Sequence, residues 1–191
     1  MAGEELVFID VEASGLHRGS YPIEVGWCGL DLQANSFLIK PAADWTEREW
    51  SGQAERIHGI ARSTCVRDGI DVWDAARRLN TVLSDKVILS DAPEFDAKWL
   101  LRLFNACGVE PTFDLRPIDA IRPIKAGWDA AWLSDQDREN VQRRVKERWP
   151  RSHRAAQDAA YLAALYRAAT EPHFWEQVAG KEPGVQRSGF G

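Results

Sequence analysis

Leu6-Val7-Phe8-Ile9-Asp10-Val11-Glu12 decides how the rest of the chain is read. Four apolar residues run straight into two carboxylates at alternate positions. Side chains of a strand alternate between its faces, so Asp10 and Glu12 point the same way and Val11 the other. Two acids delivered to one spot by a buried strand are costly unless something positive sits beside them. A divalent cation held by oxygen ligands is the simplest such partner. The strand is therefore expected to carry a metal site that later segments complete.

Two later segments offer the missing acids. Asp91-Ala92-Pro93-Glu94-Phe95-Asp96-Ala97-Lys98-Trp99-Leu100 follows the short apolar run Lys86 to Ser90 and opens a helix. Sites in open sheets collect at this kind of strand-to-helix junction. Asp91 and Glu94 also suit a helix N-terminus on electrostatic grounds alone. Asp96, beside Phe95 and before Trp99-Leu100, is expected to face inward, as a ligand or as a structural hydrogen-bond acceptor. The second segment is Ser152-His153-Arg154-Ala155-Ala156-Gln157-Asp158. His153 and Asp158 are five apart, about 140° around a helix, so they do not share a stripe. The simplest arrangement puts His153 at or before the helix start and Asp158 inside it, both reaching one site. A surface histidine near a cap is the plain alternative.

The remaining pattern gives the fold class. Strands are expected at about 4–12, 22–30, 33–40, 86–90 and 112–115, the second and third joined as a hairpin at Asp31-Leu32. Short irregular helices are expected over 44–60. Longer ones follow at 71–83, 93–106, 117–127, 135–148 and 154–169, with a short one near 172–179. A hairpin followed by strand–helix units implies an α/β fold, a mixed sheet flanked by helices. Residues 1–180 read as one domain, and the polar, Gly-rich 181–191 as a flexible tail.

FIDVEASGL (8–16), EFDAKWL (94–100) and HRAAQDA (153–159), in this order, resemble the three motifs of the DnaQ-like 3′→5′ exonucleases of the DEDDh branch. Ribonuclease T and oligoribonuclease belong to that group. The resemblance runs from about residue 5 to 170. Arg56-Ile57-His58-Gly59-Ile60 adds a fourth match, to a segment that lines the terminal-nucleotide pocket in the family. The tyrosine branch would need Tyr where Arg154 stands.

The resemblance implies a ribonuclease H-like fold with a five-stranded mixed sheet whose second strand is antiparallel. It implies hydrolysis of phosphodiester bonds at the 3′ end of single-stranded RNA or DNA, releasing 5′-mononucleotides. Asp10 would bridge two Mg²⁺ or Mn²⁺ ions about 4 Å apart, Glu12 and Asp158 would bind the one that activates water, and Asp96 would help hold the second. His153 would take the proton from the attacking water, since imidazoles ordinarily titrate within reach of neutral pH. Backbone groups at Ser14, Gly15 and Leu16 would seat the 3′-terminal nucleotide, with Leu16 against its base and His58 in the pocket. The chain departs from the family at Ser90-Asp91, where His-Asn is usual. An extra carboxylate there weakens substrate binding or alters metal preference, and Phe95-Asp96 matches the motif better than Asp91. A binding module that kept the fold and lost turnover is the rival from another class. A phosphohydrolase with an aspartyl nucleophile would want Asp at position 12 and a catalytic lysine motif.

Composition sets the outer limits. A net charge of −5 argues against a protein that coats nucleic acid by charge alone. Arg138, Arg143, Arg144, Lys146, Arg148, Arg151 and Arg154, set against Glu139 and Glu147, nevertheless give one segment a charge of +5. This segment runs into His153 and is expected to meet phosphates, with Trp128, Trp132 and Trp149 as candidate stackers on bases; a solvated helix face is the alternative. Cys28, Cys65 and Cys107 lie far apart and form no CxxC pair, which suits reduced thiols in a cytoplasm. No apolar run approaches the roughly 20 residues of a membrane span, and no membrane partner is expected. Homodimerisation, which several relatives show, stays open on sequence alone.

Overall fold

Strand β1 (Leu6–Ala13) is the middle of the sheet. It pairs antiparallel with β2 (Pro22–Gly29) on one side and parallel with β4 (Val87–Ser90) on the other. β3 (Ala34–Leu38) extends the antiparallel edge, and β5 (Leu115–Pro117) pairs parallel with β4. The order is β3-β2-β1-β4-β5. This is the mixed, ribonuclease H-like α/β sheet expected from the motifs, with β2 antiparallel. The structure, a computed structural model, describes residues 5–118 and 135–179 of the 191. Trp128, Trp132, most of the helix expected over 117–127 and the expected tail at 181–191 lie outside the described residues.

Both faces of β1 are covered, which is why its apolar run is nearly continuous. On one face Val7, Ile9 and Val11 pack in one core with Ala75, Leu79 and Leu83 of α3 (Val72–Leu83) and with Trp99, Leu103 and Phe104 of α4 (Pro93–Cys107). On the other face Phe8 and Cys28 meet Ala159, Leu162 and Ala163 of α6 (Ala155–Thr170). Helices α5 (Asp135–Arg148) and α7 (Pro172–Ala179) close over the outer side of α6 through Val141, Val145, Phe174 and Val178. Alternation along β1 puts Asp10 and Glu12 on the α6 face, in line with Phe8.

Helix α6 sits very close to the sheet. Gly26 pairs with Asp10 across the β1–β2 ladder, and a Cβ added to Gly26 would fall 2.2 Å from the carbonyl carbon of Ala155. Only glycine leaves room for the first turn of α6 there. Buried Glu24, two residues earlier, fastens the same turn. Its carboxylate accepts from Arg154 Nε at 3.0 Å, Arg154 Nη2 at 2.9 Å and the Ala155 N–H at 3.1 Å.

Two expectations are corrected. The fifth strand lies at 115–117, not 112–115: the Thr112 N–H is taken by the Asn80 side chain at 3.0 Å, which pins that stretch to α3 before pairing begins. Besides α1 (Gly52–His58) and the 3₁₀ turn Glu47–Glu49, both within the region expected to be irregular, there is α2 (Arg62–Asp68). It buries only Cys65, too little apolar periodicity to show in sequence.

Replacing Gly26 with alanine should force α6 away from β2 and cost about 1–3 kcal/mol, the usual range for an overpacked core. Thermal unfolding of Gly26→Ala against the parent checks this. An unchanged Tm would contradict the close approach.

Candidate active site

The three acidic segments meet at one cleft of about 220 Å³, where β1 and β4 end and α4 and α6 begin. Asp10, Glu12, Asp96, Asp158 and His153 all line it, as does Leu16. Asp10 and Glu12 arrive from β1, half-buried. Asp96 comes from the first turn of α4, is 2% exposed, and accepts from the Ser90 hydroxyl at the end of β4. Asp158 comes from the first turn of α6, is also 2% exposed, and its Oδ1 accepts from the Ser152 N–H at 2.9 Å. His153 is exposed and stands one residue before the N-cap Arg154, the simplest arrangement for its five-residue spacing from Asp158. Its φ of 53° is left-handed, a conformation that costs a non-glycine residue of order 1–3 kcal/mol. That backbone turn lets the imidazole and Asp158 reach the same spot from different directions. Glu12, His153 and Asp158 offer ligand atoms that all lie within 4.8 Å of one another.

So many acids disturb each other. Burial, followed by the charges of Asp96, Glu12, Asp158 and Asp91, pushes the Asp10 carboxyl up to about 9. Burial and then Asp158 and Glu24 raise Glu12 to about 7. Asp96 rises to about 7, mainly by burial, although the Ser90 hydroxyl pulls the other way. A cluster that resists ionising together at neutral pH is a cluster short of positive charge. Carboxylate oxygens with one imidazole nearby suit a hard or borderline divalent ion, so the residues present fit the metal that the motifs imply. Among the described residues, Glu12, His153 and Asp158 form the group whose ligand atoms lie close enough to share one ion, and Asp10 and Asp96 line the same cleft.

The expected nucleotide-seating residues divide. Leu16 is 73% exposed at the cleft. Ser14 is buried and its groups are committed within the fold. Its hydroxyl donates to the Glu49 carbonyl at 2.8 Å and accepts from the Tyr21 N–H at 3.0 Å, and its carbonyl accepts from the Ser51 N–H at 2.7 Å. Ser14, Gly15 and His58 are not among the residues lining the cleft. His58 is buried edge-on to Trp50, its Nδ1 accepting from the Ile60 N–H at 3.0 Å, and burial lowers its pKa. Trp149 packs on Phe174 with ring centroids 5.7 Å apart, so that ring is used inside the fold rather than offered to a base. The basic segment is likewise partly committed: Arg143 pairs with Glu147, Arg154 with Glu24 and Arg151 with Asp91.

Sequence reasoning missed Phe95 and Trp99 as cleft residues. Phe95 is 45% exposed at the mouth, its ring 5.8 Å from that of Trp99. Their i, i+4 spacing around Asp96 was the available signal.

No protein-family model and no curated protein sequence matches the chain. Solved structures do. E. coli exonuclease I in complex with a dA16 oligonucleotide superposes with a TM-score of 0.65 at 16% identity over 91% of this chain. The fold is shared with exonuclease I. A zinc-bound complex of the same E. coli enzyme with single-stranded DNA gives a TM-score of 0.64 at 15% identity, again over 91% of this chain. The likeness covers 42% of the exonuclease I chain in both cases, so this chain spans less than half of that protein's length. The exonuclease I fold agrees with the resemblance carried by the three sequence motifs.

The raised carboxyls fix a pH dependence. Their folded values exceed the ordinary 3.8 of Asp and 4.5 of Glu. Stability is therefore full below about pH 4 as far as these groups contribute. It is lost as pH climbs through about 7, where Glu12 and Asp96 ionise, and about 9, where Asp10 follows. Without divalent metal, Tm should fall between pH 5 and 9. Added Mn²⁺ or Mg²⁺ should raise it, more at pH 8 than at pH 5, because only the ionised acids bind metal. Differential scanning fluorimetry across that range checks both trends; a Tm indifferent to metal at pH 8 would contradict the site.

Proposed function

We propose that the chain is a metal-dependent 3′→5′ exonuclease that removes 5′-mononucleotides from single-stranded nucleic acid, with residues 1–180 as its exonuclease domain. The observation that supports this reading best is the convergence of Asp10, Glu12, Asp96 and Asp158, from three separate elements, on one cleft that His153 overlooks. Asp10, Glu12, Asp96 and Asp158 would hold Mg²⁺ or Mn²⁺, which would supply charge stabilisation to the phosphoryl group and lower the pKa of bound water.

The chain's own residues do the rest. A ring nitrogen of His153 takes a proton from water as its oxygen bonds to phosphorus. The P–O3′ bond breaks, the leaving 3′ oxygen takes a proton from solvent, and the strand ends in a new 3′-hydroxyl. His153 is exposed, so it can pass its proton on to solvent between turnovers. Leu16 and Phe95, both exposed and both on the cleft, give the terminal base apolar surface to rest on. An open cleft of this size takes a single strand end; a base-paired 3′ end would have to fray first.

Incubating the protein with a 5′-labelled single-stranded oligomer and Mn²⁺ should yield a ladder descending one nucleotide at a time. Asp10→Ala and Asp158→Ala should abolish it, and His153→Ala should slow it about 10²- to 10⁴-fold, the usual worth of general-base catalysis. RNA and DNA oligomers that both stay full length, in Mn²⁺ and in Mg²⁺, would overturn the assignment.

A further inference from the structure

We infer that Arg151 is the side chain of this chain that contacts the substrate phosphate, and that Asp91 is the positioning residue that holds it there. This deepens the nuclease reading and rests on it. Five carboxylates line the cleft: Asp10, Glu12, Asp91, Asp96 and Asp158. A polyanionic strand would be repelled by such a lining. Among the described residues that line it, Arg151 alone carries a permanent positive charge.

Its placement is built rather than incidental. Arg151 Nη1 is 2.8 Å from Asp91 Oδ2, and Nε is 3.7 Å from Asp158 Oδ2. The guanidinium carbon lies 5.5 Å from the centre of the Tyr161 ring. The guanidinium is thus held to one carboxylate and lies near a second, while the side chain stays 37% exposed and lines the cleft. Nη1 makes the hydrogen bond to Asp91, and a guanidinium carries five N–H donors in fixed geometry. An arginine held by one carboxylate with further donors to offer is pre-organised for a phosphate oxygen.

Asp91 becomes intelligible in the same way. It stands where the motif usually has asparagine, and read alone it is one more repelling carboxylate. Paired with a cation 60 residues away, its charge is met. An asparagine could accept a hydrogen bond from the guanidinium but would give it no ion pair. A purely mechanical role, stapling the β4–α4 turn to the segment before α6, predicts something different: lost stability with no preference for charged ligands.

The test measures binding of AMP and of adenosine, with Mg²⁺ present, by isothermal titration calorimetry. The parent chain should bind AMP more tightly than adenosine. Arg151→Ala should weaken AMP about ten- to a hundredfold, the worth of a charge-assisted hydrogen bond, and leave adenosine unchanged. Arg151→Lys keeps the charge without the fork and should fall between. Asp91→Asn should also be intermediate, because it leaves the cation and loosens its aim. An AMP-to-adenosine affinity ratio that is the same in the parent and the Arg151 variants overturns the inference. So does a parent that does not prefer AMP. If Arg151→Ala fails to fold, Arg151→Lys decides by the same ratio. The oligomer ladder is run on the same preparations. A ladder with an unchanged ratio sinks only the role of Arg151, whereas no ladder with a shifted ratio sinks only the nuclease reading.

Discussion

The close seating of α6 on β2 is the constraint from which the rest of the molecule follows. Asp158 and His153 belong to the last third of the chain, whereas Asp10 and Glu12 belong to its first strand. They meet because Gly26 lets the backbone of Ala155 come down onto the sheet beside Asp10. Glu24 then locks the contact. It is 2% exposed, receives three hydrogen bonds from Arg154 and Ala155, and accepts a fourth from the Ser36 hydroxyl at 3.1 Å. Removing one partner of such a buried pair is costly, because the other charge is then left without compensation. Register along β2 thereby becomes the geometry of the cleft, since Glu24 and Gly26 lie across the ladder from Glu12 and Asp10.

That same seating explains the strained histidine. Arg154 must turn toward Glu24, and Ala155 must begin the helix against Gly26. The chain arriving from Trp149 has little freedom left, and His153 takes up a left-handed backbone at the last position before the cap. The Ser152 N–H is directed to Asp158 by the same bend. Strain on one residue is here the consequence of two fixed neighbours, and it leaves the imidazole standing over the acids.

Local pattern made the sheet legible. β1 was readable because its apolar run and its alternate acids coincide, and α6 because alanine-rich sequence with an inward Asp158 has few other folds to adopt. Asp96 was readable because Pro93 fixes where its helix starts. Contacts between residues far apart in sequence were not readable. Asp91–Arg151 spans 60 positions and Glu24–Arg154 spans 130, and a run of basic residues does not announce which acids it will meet. Ser14 and His58 fall in the same class. The Ser14 hydroxyl donates to the Glu49 carbonyl and His58 Nδ1 accepts from the Ile60 N–H, neither of which sequence spacing announces. Phe95 shares the cleft with Leu16 of the β1–β2 loop, a neighbourhood that no periodicity records.

Whether the fold itself can tolerate its own acids is a question of magnitudes. Asp96 and Asp158 both sit in the first turn of their helices, where the macrodipole favours a negative charge. Each such placement is worth about 0.3–1 kcal/mol at a surface and up to about 2 in favourable, partly buried geometry. Against this stands Asp10, whose carboxyl is pushed from 3.8 up to about 9 by burial and by the charges of Asp96, Glu12, Asp158 and Asp91. Two helix ends and one arginine already shared between Asp91 and Asp158 leave that carboxyl raised. The fold therefore carries a cluster that is stable when protonated or when neutralised from outside. A divalent cation meets that condition through carboxylate oxygens alone, whereas a substrate phosphate would make the imbalance worse. On the proposed nuclease reading, the signs of the charges set the order: metal first, with the strand end second.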